Sequence, residues 1–284
     1  MSAEVQVLYE TPGPRARALS RTFSVVIGVL VVGGLAWLIY ALGQPRVTVN
    51  GAVLTGLWSP ERWDIFGDDE VWRGLLQRGL LMGTLRAAGL AAVLAIIFGV
   101  LLCFARLAPS PLVRVPTAIV LEFFRGMPVL LMMLFILLAL ATSGYWAVVW
   151  ALAIYNGAII GEALRAGIQS LPRGQREAGL SLGLTSFATR VLVEFPQAFR
   201  QMLPIIVAQL VVLLKDTSLA YIVAYPEILR VSNQLKDFYG STQYSFSIFL
   251  VTLAIYLAVN FSVSALARWI ARRRGPKAGV VEHG

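Results

Sequence analysis

The sequence predicts an all-α integral membrane protein, and three observations carry that expectation. Hydrophobic residues make up 58% of the 284 and charged ones 14%, with mean hydropathy +0.75, more apolar surface than a soluble domain can hide. The apolar residues gather into uncharged runs long enough to cross ~30 Å of hydrocarbon as helices rising about 1.5 Å per residue. The charges, +9 net, sit in the segments between those runs. Basic residues so dispersed exclude a nucleic-acid-binding face, which needs them on one solvated surface. The single cysteine, Cys103, excludes a disulfide-stapled secreted module.

In chain order, residues 1–22 form a cytoplasmic tail with Arg15, Arg17 and Arg21, and residues 23–42 the first span. A cleaved signal peptide would share the basic start, but its apolar part would be shorter, roughly 7 to 15 residues. Residues 43–79 set Asp64, Asp68, Asp69 and Glu70 against Arg62, Arg73 and Arg78 and read as an extracellular loop. The second span covers 82–105 and ends before a Pro109-Ser110-Pro111 turn. The charge-free run 126–161 is too long for one span and too short for two. A turn at 142–145 therefore divides it, and the third span, 115–141, carries Glu122 and Arg125 beside or within the membrane.

The fourth span, 146–168, includes Glu162 and Arg165, and the fifth, 202–225, takes in Lys215 and Asp216. The sixth, 246–267, is closed by Arg268 and a basic cytoplasmic tail, 269–284. Six spans with both termini inside place 15 of the 24 basic residues on the cytoplasmic side and 6 outside, and five spans scramble that asymmetry. Most tryptophans, among them Trp37, Trp146 and Trp269, fall near span ends, where an interfacial belt accommodates them.

The connector 169–201 is neither low in complexity nor linker-like. Ser170 or Pro172 can start a short helix over 175–184. There Ala178, Gly179 and Gly183 make a small-residue surface that another protein can approach closely, with Glu177 offering a charge-assisted contact. Gly179 and Gly183 have GxxxG spacing, but Arg173, Arg176 and Glu177 argue against packing within lipid. The stretch Glu177-Ala178-Gly179, three residues, Gly183, nine residues, Val193, one residue, Phe195-Pro196 resembles the EAA loop of ABC importer permeases. That pattern is EAA, three, Gly, nine, Ile, one, Leu-Pro. Every spacing is met, and Gly179, Val193 and Phe195 are modest departures at small or apolar positions.

Around the loop, Phe124-Arg125-Gly126-Met127-Pro128, Gly161-Glu162-Ala163-Leu164-Arg165-Ala166-Gly167, Phe195-Pro196-Gln197-Ala198 and Lys215-Asp216-Thr217-Ser218-Leu219 are similar to the polar amino acid branch of that family. Arg86 after Thr84-Leu85, with Glu122-Phe123-Phe124-Arg125, looks most like its actinobacterial glutamate importer permeases. The resemblance implies the type I ABC importer transmembrane fold in a bacterial cytoplasmic membrane, with one peripheral N-terminal helix and a five-helix core over 80–268. It also implies alternating-access import of a polar amino acid, glutamate ahead of glutamine, aspartate or cystine, by one half of a heteromeric permease pair. Implied partners are a cytoplasmic ATPase dimer docking on Glu177, Ala178, Gly179, Gly183 and Pro196, and an extracellular substrate-binding protein.

ATP and Mg would be bound by the ATPase partner, because a phosphate loop ends Gly-Lys-Ser/Thr and none of the three lysines here follows a glycine. No cofactor and no enzymatic activity are expected of this chain. A membrane enzyme would need a nucleophile with its base, or a metal-ligand cluster, at membrane level. A passive channel would need no EAA helix.

Five residues are candidates for the substrate pathway. Arg86 either snorkels to the outer interface or draws a substrate carboxylate into an outward cavity. Lys215 lies 13 residues beyond Met202, about 20 Å along its helix and past mid-membrane. Asp216 points about 100° away, so each needs a separate partner: a neighbouring span, a second subunit or the pathway itself. Thr217 and Ser218 can loosen the helix and offer polar groups to a zwitterion. Glu122 with Arg125 and Glu162 with Arg165 are i,i+3 neighbours placed to form ion pairs, with gating or coupling as the alternative role.

Overall fold

In the computed structural model, which describes residues 13–47, 49, 51, 53–240 and 243–274, the chain divides into two units, residues 1–64 and 65–284. In the first, α1 (Pro14–Gly43) starts on a proline, whose missing N–H is no loss at the first helical position. It exposes Val, Leu and Ile in every direction and buries no residue, the pattern of a helix solvated by lipid. A short antiparallel ribbon follows, β1 (Arg46–Val47) with β2 (Val53–Leu54), and the Trp58 indole donates to the Ile39 carbonyl at 2.8 Å.

The second unit contains α2 (Asp69–Arg106), α3 (Pro111–Gly126), α4 (Val129–Ala139), α5 (Gly144–Gln169), α6 (Arg173–Ser181), α7 (Ser186–Tyr221), α8 (Ile228–Phe238) and α9 (Ser245–Arg274). α5 is its most buried long helix. Gly157 and Gly161 bring its backbone against α2. A Cβ at Gly157 would lie 2.9 Å from Phe98 Cβ, and one at Gly161 would lie 2.9 Å from the Gly99 carbonyl. This small-xxx-small pair makes the close helix contact, and its spacing is readable in the sequence. Near the middle of α5, Gln209 of α7 donates to Asn156 Oδ1 at 2.8 Å, while Asn156 Nδ2 donates to the Leu152 carbonyl at 2.8 Å. Within a membrane-spanning helix pair such amides satisfy each other.

Three sequence expectations need correction. The loop expected over 43–79 gives way to helix at Asp69, where Asp68 caps the chain by accepting from the Glu70 N–H. Val71, Leu75 and Leu80 bury one face of the new helix, and Asp69, Arg73 and Arg78 stand exposed beside it. The third span, expected as one helix over 115–141, is α3 and α4 bent by 104°. Pro128 has no N–H to continue the ladder and drives Met127 into extended backbone (φ −83°, ψ 130°). Among the described residues, five helices are long and apolar enough to cross a membrane, six if this bent pair is one span.

The coupling loop expected over 169–201 is mostly helix. Thr185 caps α7 by accepting from the Ala188 N–H, and Phe195, Ala198 and Phe199 pack on the core, so the helix resumes at Ser186. At its far end α7 tightens into a 3-10 turn over Thr217–Tyr221, and Ala224, in the left-handed region at φ 60°, reverses the chain into α8.

Candidate functional site

Two constructions within residues 65–284 carry functional geometry, at the two ends of α5. At the Tyr145 end, α2, α5 and the segment 225–239 enclose a cavity of about 920 Å³. Residues Arg73–Leu85 of α2 are π-helical, so Gly74, Gly79 and Gly83, five and four residues apart, share the face that seats α8. At Gly83 a Cβ would sit 2.3 Å from the Pro226 carbonyl and 2.9 Å from Glu227 Cα, so only glycine lets the chain pass. Thr84 Oγ1 accepts from the Ile228 N–H, and the Tyr225 hydroxyl donates to the Gly83 carbonyl at 3.0 Å.

Arg86 lines this cavity with its guanidinium carbon 4.9 Å from the centroid of the Tyr145 ring. The ring holds the cation by its quadrupole and offers no acceptor. The guanidinium makes no hydrogen bond or ion pair among the described residues, so its donors remain available. Tyr145, 59 positions away in sequence, is the functional partner that sequence reading missed. At the rim Arg78 pairs with Glu70. The Tyr239 hydroxyl donates to Asp68 at 2.5 Å and, with the Glu70 N–H, holds that carboxyl below its usual range. Beyond the end of α7, buried Glu227 caps α8 by accepting from the Leu229 and Arg230 N–H groups at 2.9 and 2.7 Å. Burial pushes its carboxyl up to about 7, with those two N–H groups pulling the other way.

The remaining pathway candidates are not brought to Arg86. Lys215 is exposed in a separate crevice of about 360 Å³ with Val211, Val212, Ser264 and Arg268. Asp216 is half-buried, and neither residue has an ion-pair partner among the described residues. Thr217 donates to the Leu214 carbonyl at 2.6 Å and shares a 2.9 Å hydrogen bond with Tyr256, and Ser218 donates to the Lys215 carbonyl at 2.9 Å. These hydroxyls give their protons to the helix end where the α-helix tightens.

At the Gln169 end, α6 carries Glu177, Ala178 and Gly179. Glu177 and Ala178 are exposed, and the Glu177 carboxylate is unpaired among the described residues. Gly179 is buried, and its place corrects the expectation that it faces a partner protein: a Cβ there would meet Thr189 Cγ2 of α7 at 2.6 Å. Gly183 is not on the helix. At φ 81° it ends α6, with the Leu184 N–H bonding the Gly179 carbonyl and the Gly183 N–H bonding that of Leu180, a Schellman termination. Pro196 follows the π-helical stretch Arg190–Glu194 in α7, where its missing N–H interrupts the ladder. Beside α6, Arg173, Arg176, Glu177 and Arg190 line a groove of about 470 Å³.

The i,i+3 candidates lie toward this end. Arg125 donates to Glu122 at 2.9 Å. Arg165 makes a two-point contact with Glu162 at 2.9 and 2.5 Å and reaches Gln169 at 2.6 Å, with Arg106 of α2 4.0 Å from Glu162. The Arg106–Glu162 approach joins α5 to α2.

An apolar multi-helix core with an exposed charged helix at one end and a cation-lined cavity at the other is the construction of a transport subunit. Residues 91–276 match the family described as "Binding-protein-dependent transport system inner membrane component", and the chain belongs to that family: it is a multi-pass membrane subunit. In such systems ATP is hydrolysed by a separate ATPase and the substrate is presented by a binding protein. The chain is 35% identical over 79% of its length to the glutamate transport system permease protein GluD of Corynebacterium glutamicum, covering 82% of that protein. It is also 35% identical to the probable glutamine ABC transporter permease protein GlnP of Bacillus subtilis, over 72% of this chain and 93% of that one. Among solved structures, "Crystal structure of an amino acid ABC transporter with histidines" superposes with TM-score 0.63 at 27% identity, over 71% of this chain and 95% of that one. A methionine ABC transporter at 18% identity and TM-score 0.55 shares the fold.

Proposed function

We propose that this chain is one half of the permease pair of an ATP-driven importer for glutamate, with both termini and α6 in the cytoplasm and the Arg86 cavity opening outward. The observation that carries the substrate reading is the Arg86 guanidinium, held over Tyr145 in the 920 Å³ cavity with its donors unclaimed. A planar cation with free paired donors fits a carboxylate and repels a cationic amino acid. The glutamate permease relative supports the same reading. The glutamine permease relative supports a second, in which Arg86 takes the α-carboxylate and the exposed amides of Gln77 and Gln234 on the cavity wall face the side chain.

In the transport cycle α6 would sit in the ATPase, and closure of the ATPase dimer would move α6 and switch the cavity between faces. Glu177 supplies the exposed charge for that docking. The second permease subunit would cover the crevice at Lys215 and Arg268 and provide an anionic partner there, preferably as a heterodimer.

Uptake into proteoliposomes holding the complete transporter tests the substrate. Arg86→Gln should lower glutamate uptake about tenfold or more and glutamine uptake much less, a charge-assisted hydrogen bond being worth about 1.5–3 kcal/mol. Equal losses would move Arg86 to the α-carboxylate, which every amino acid carries, and remove it as the ground for glutamate over glutamine.

A further inference from the structure

The segment from the end of α5 to the middle of α7 is held by a ladder that the docking motif does not require. Four pairs run antiparallel along it. A Cβ at Gly167 would meet Met202 Cγ at 2.5 Å. Gln201 Nε2 donates to Ser170 Oγ at 3.3 Å. Gln197 Nε2 donates to Gln175 Oε1 at 3.0 Å and to the Val193 carbonyl at 2.9 Å. Gly179 closes on Thr189. As one partner advances from 167 to 179 the other retreats from 202 to 189, so α6 lies back along the start of α7.

Each rung has a local cause. The Gly167 and Gly179 positions lack side chains where the neighbour presses in, and Gln197 and Gln201 are i,i+4, on one face of α7. Just after the π-helical stretch Arg190–Glu194 and Pro196, the Gln197 amide donates one N–H back to the Val193 carbonyl of its own helix, which fixes the side chain while its second N–H reaches α6. Ser170 is fixed in turn by donating to the Gly167 carbonyl at 2.8 Å.

We infer that Gln197 and Gln201 are positioning residues that make α6 and α7 one rigid hairpin, Gln197 by binding α6 at Gln175 and Gln201 by binding the α5–α6 junction at Ser170, so that displacement of the docking helix passes to the transport helix without slack. This rests on the ATPase-docking reading of α6. Two-state coupling between distant sites needs an element that both bias, and a hairpin free to flex at 182–185 would dissipate the movement. Both glutamines act through the geometry of Glu177 and its helix.

The test uses the full transporter reconstituted with its ATPase and binding protein, reading ATPase co-purification, ATP hydrolysis and uptake separately. Gln197→Ala with Gln201→Ala should keep the ATPase bound and hydrolysing while uptake per ATP falls about tenfold, as expected for the loss of the two hydrogen bonds that reach across to Gln175 and Ser170. Gln197→Lys combined with Gln175→Glu, which rebuilds the Gln197 rung as an ion pair and keeps a donor for the Val193 carbonyl, should restore coupling in otherwise native protein to within about twofold. Unchanged uptake per ATP in the double alanine variant, or loss of the ATPase from it, overturns the inference. So does an ion-pair variant as uncoupled as Gln197→Ala alone. Glu177→Lys separates the two claims: if it uncouples while the glutamine variants transport normally, docking stands and the rigid hairpin falls. If Glu177→Lys transports normally with ATP, the docking reading itself falls.

Discussion

The two ends of α5 each use a π-helical stretch, yet they differ in what the wide turns rest against. In α2 the stretch Arg73–Leu85 presents Gly74, Gly79 and Gly83, and at Gly83 the opposing atoms are backbone, the Pro226 carbonyl and Glu227 Cα. In α7 the stretch Arg190–Glu194 follows Thr189, and the atom opposing Gly179 is the end of that threonine side chain. A backbone wall cannot turn aside, whereas a side chain can rotate. The cavity end is therefore seated by shape and the α6 end by adjustable contacts plus amide hydrogen bonds. Close backbone approach suits a lid that must fit in one register, and adjustable contacts suit a surface that receives another protein.

Substitution can break that comparison at its strongest point. Gly83→Ala should unseat α8, lowering stability by about 3 kcal/mol, the upper range for overpacking, and reducing the folded yield of the detergent-purified complex. A midpoint within error of wild type would mean that the chain at Pro226 yields and that the two walls are alike.

The Glu227 cap sharpens the comparison through pH. Its folded-state pKa, about 7, lies above the ordinary 4.5, so the folded state holds a proton more tightly than the unfolded chain. The stabilising contribution is fully present below pH 4.5 and is lost as pH rises through about 7. Thermal midpoints from pH 5 to 8 should show this decline, on the order of 2 kcal/mol, and Glu227→Gln should flatten it. The same slope in both proteins would assign the pH dependence elsewhere.

The smallest effect belongs to the α6 end. Gly179→Ala should destabilise by about 1 kcal/mol, since only Thr189 must move, and Thr189→Ser, which removes the encroaching Cγ2, should recover most of it. A double-mutant cycle with no coupling between the two positions would remove Thr189 as the seat.

The spans were legible in the sequence because lipid demands long uncharged runs, and the fourth needed only two residues added at its start and one at its end. The start of α2 was not, because Asp69, Glu70, Arg73 and Arg78 mask an apolar stripe carried by Val71 and Leu75. The break at Pro128 was written in the residue itself, but the length of the charge-free run outweighed it. Gly183 was legible as a motif position, and its role in ending α6 follows from its left-handed backbone. Gly179 looked like a docking surface because a sequence shows a missing side chain without showing which neighbour fills the space. Arg86 stood out as a membrane-level cation, while Tyr145 and the separation of Lys215 from the cavity depend on contacts between distant segments, which periodicity does not encode.

The amide pair Asn156–Gln209 sits near the midpoint of α5, between the two ends just compared. Two rods pinned side by side behave as a clothes-peg: spreading the arms on one side of the pin draws those on the other together. A tilt of α7 against α5 about that pin would widen one mouth of the subunit while narrowing its opposite, with no need for either rod to bend.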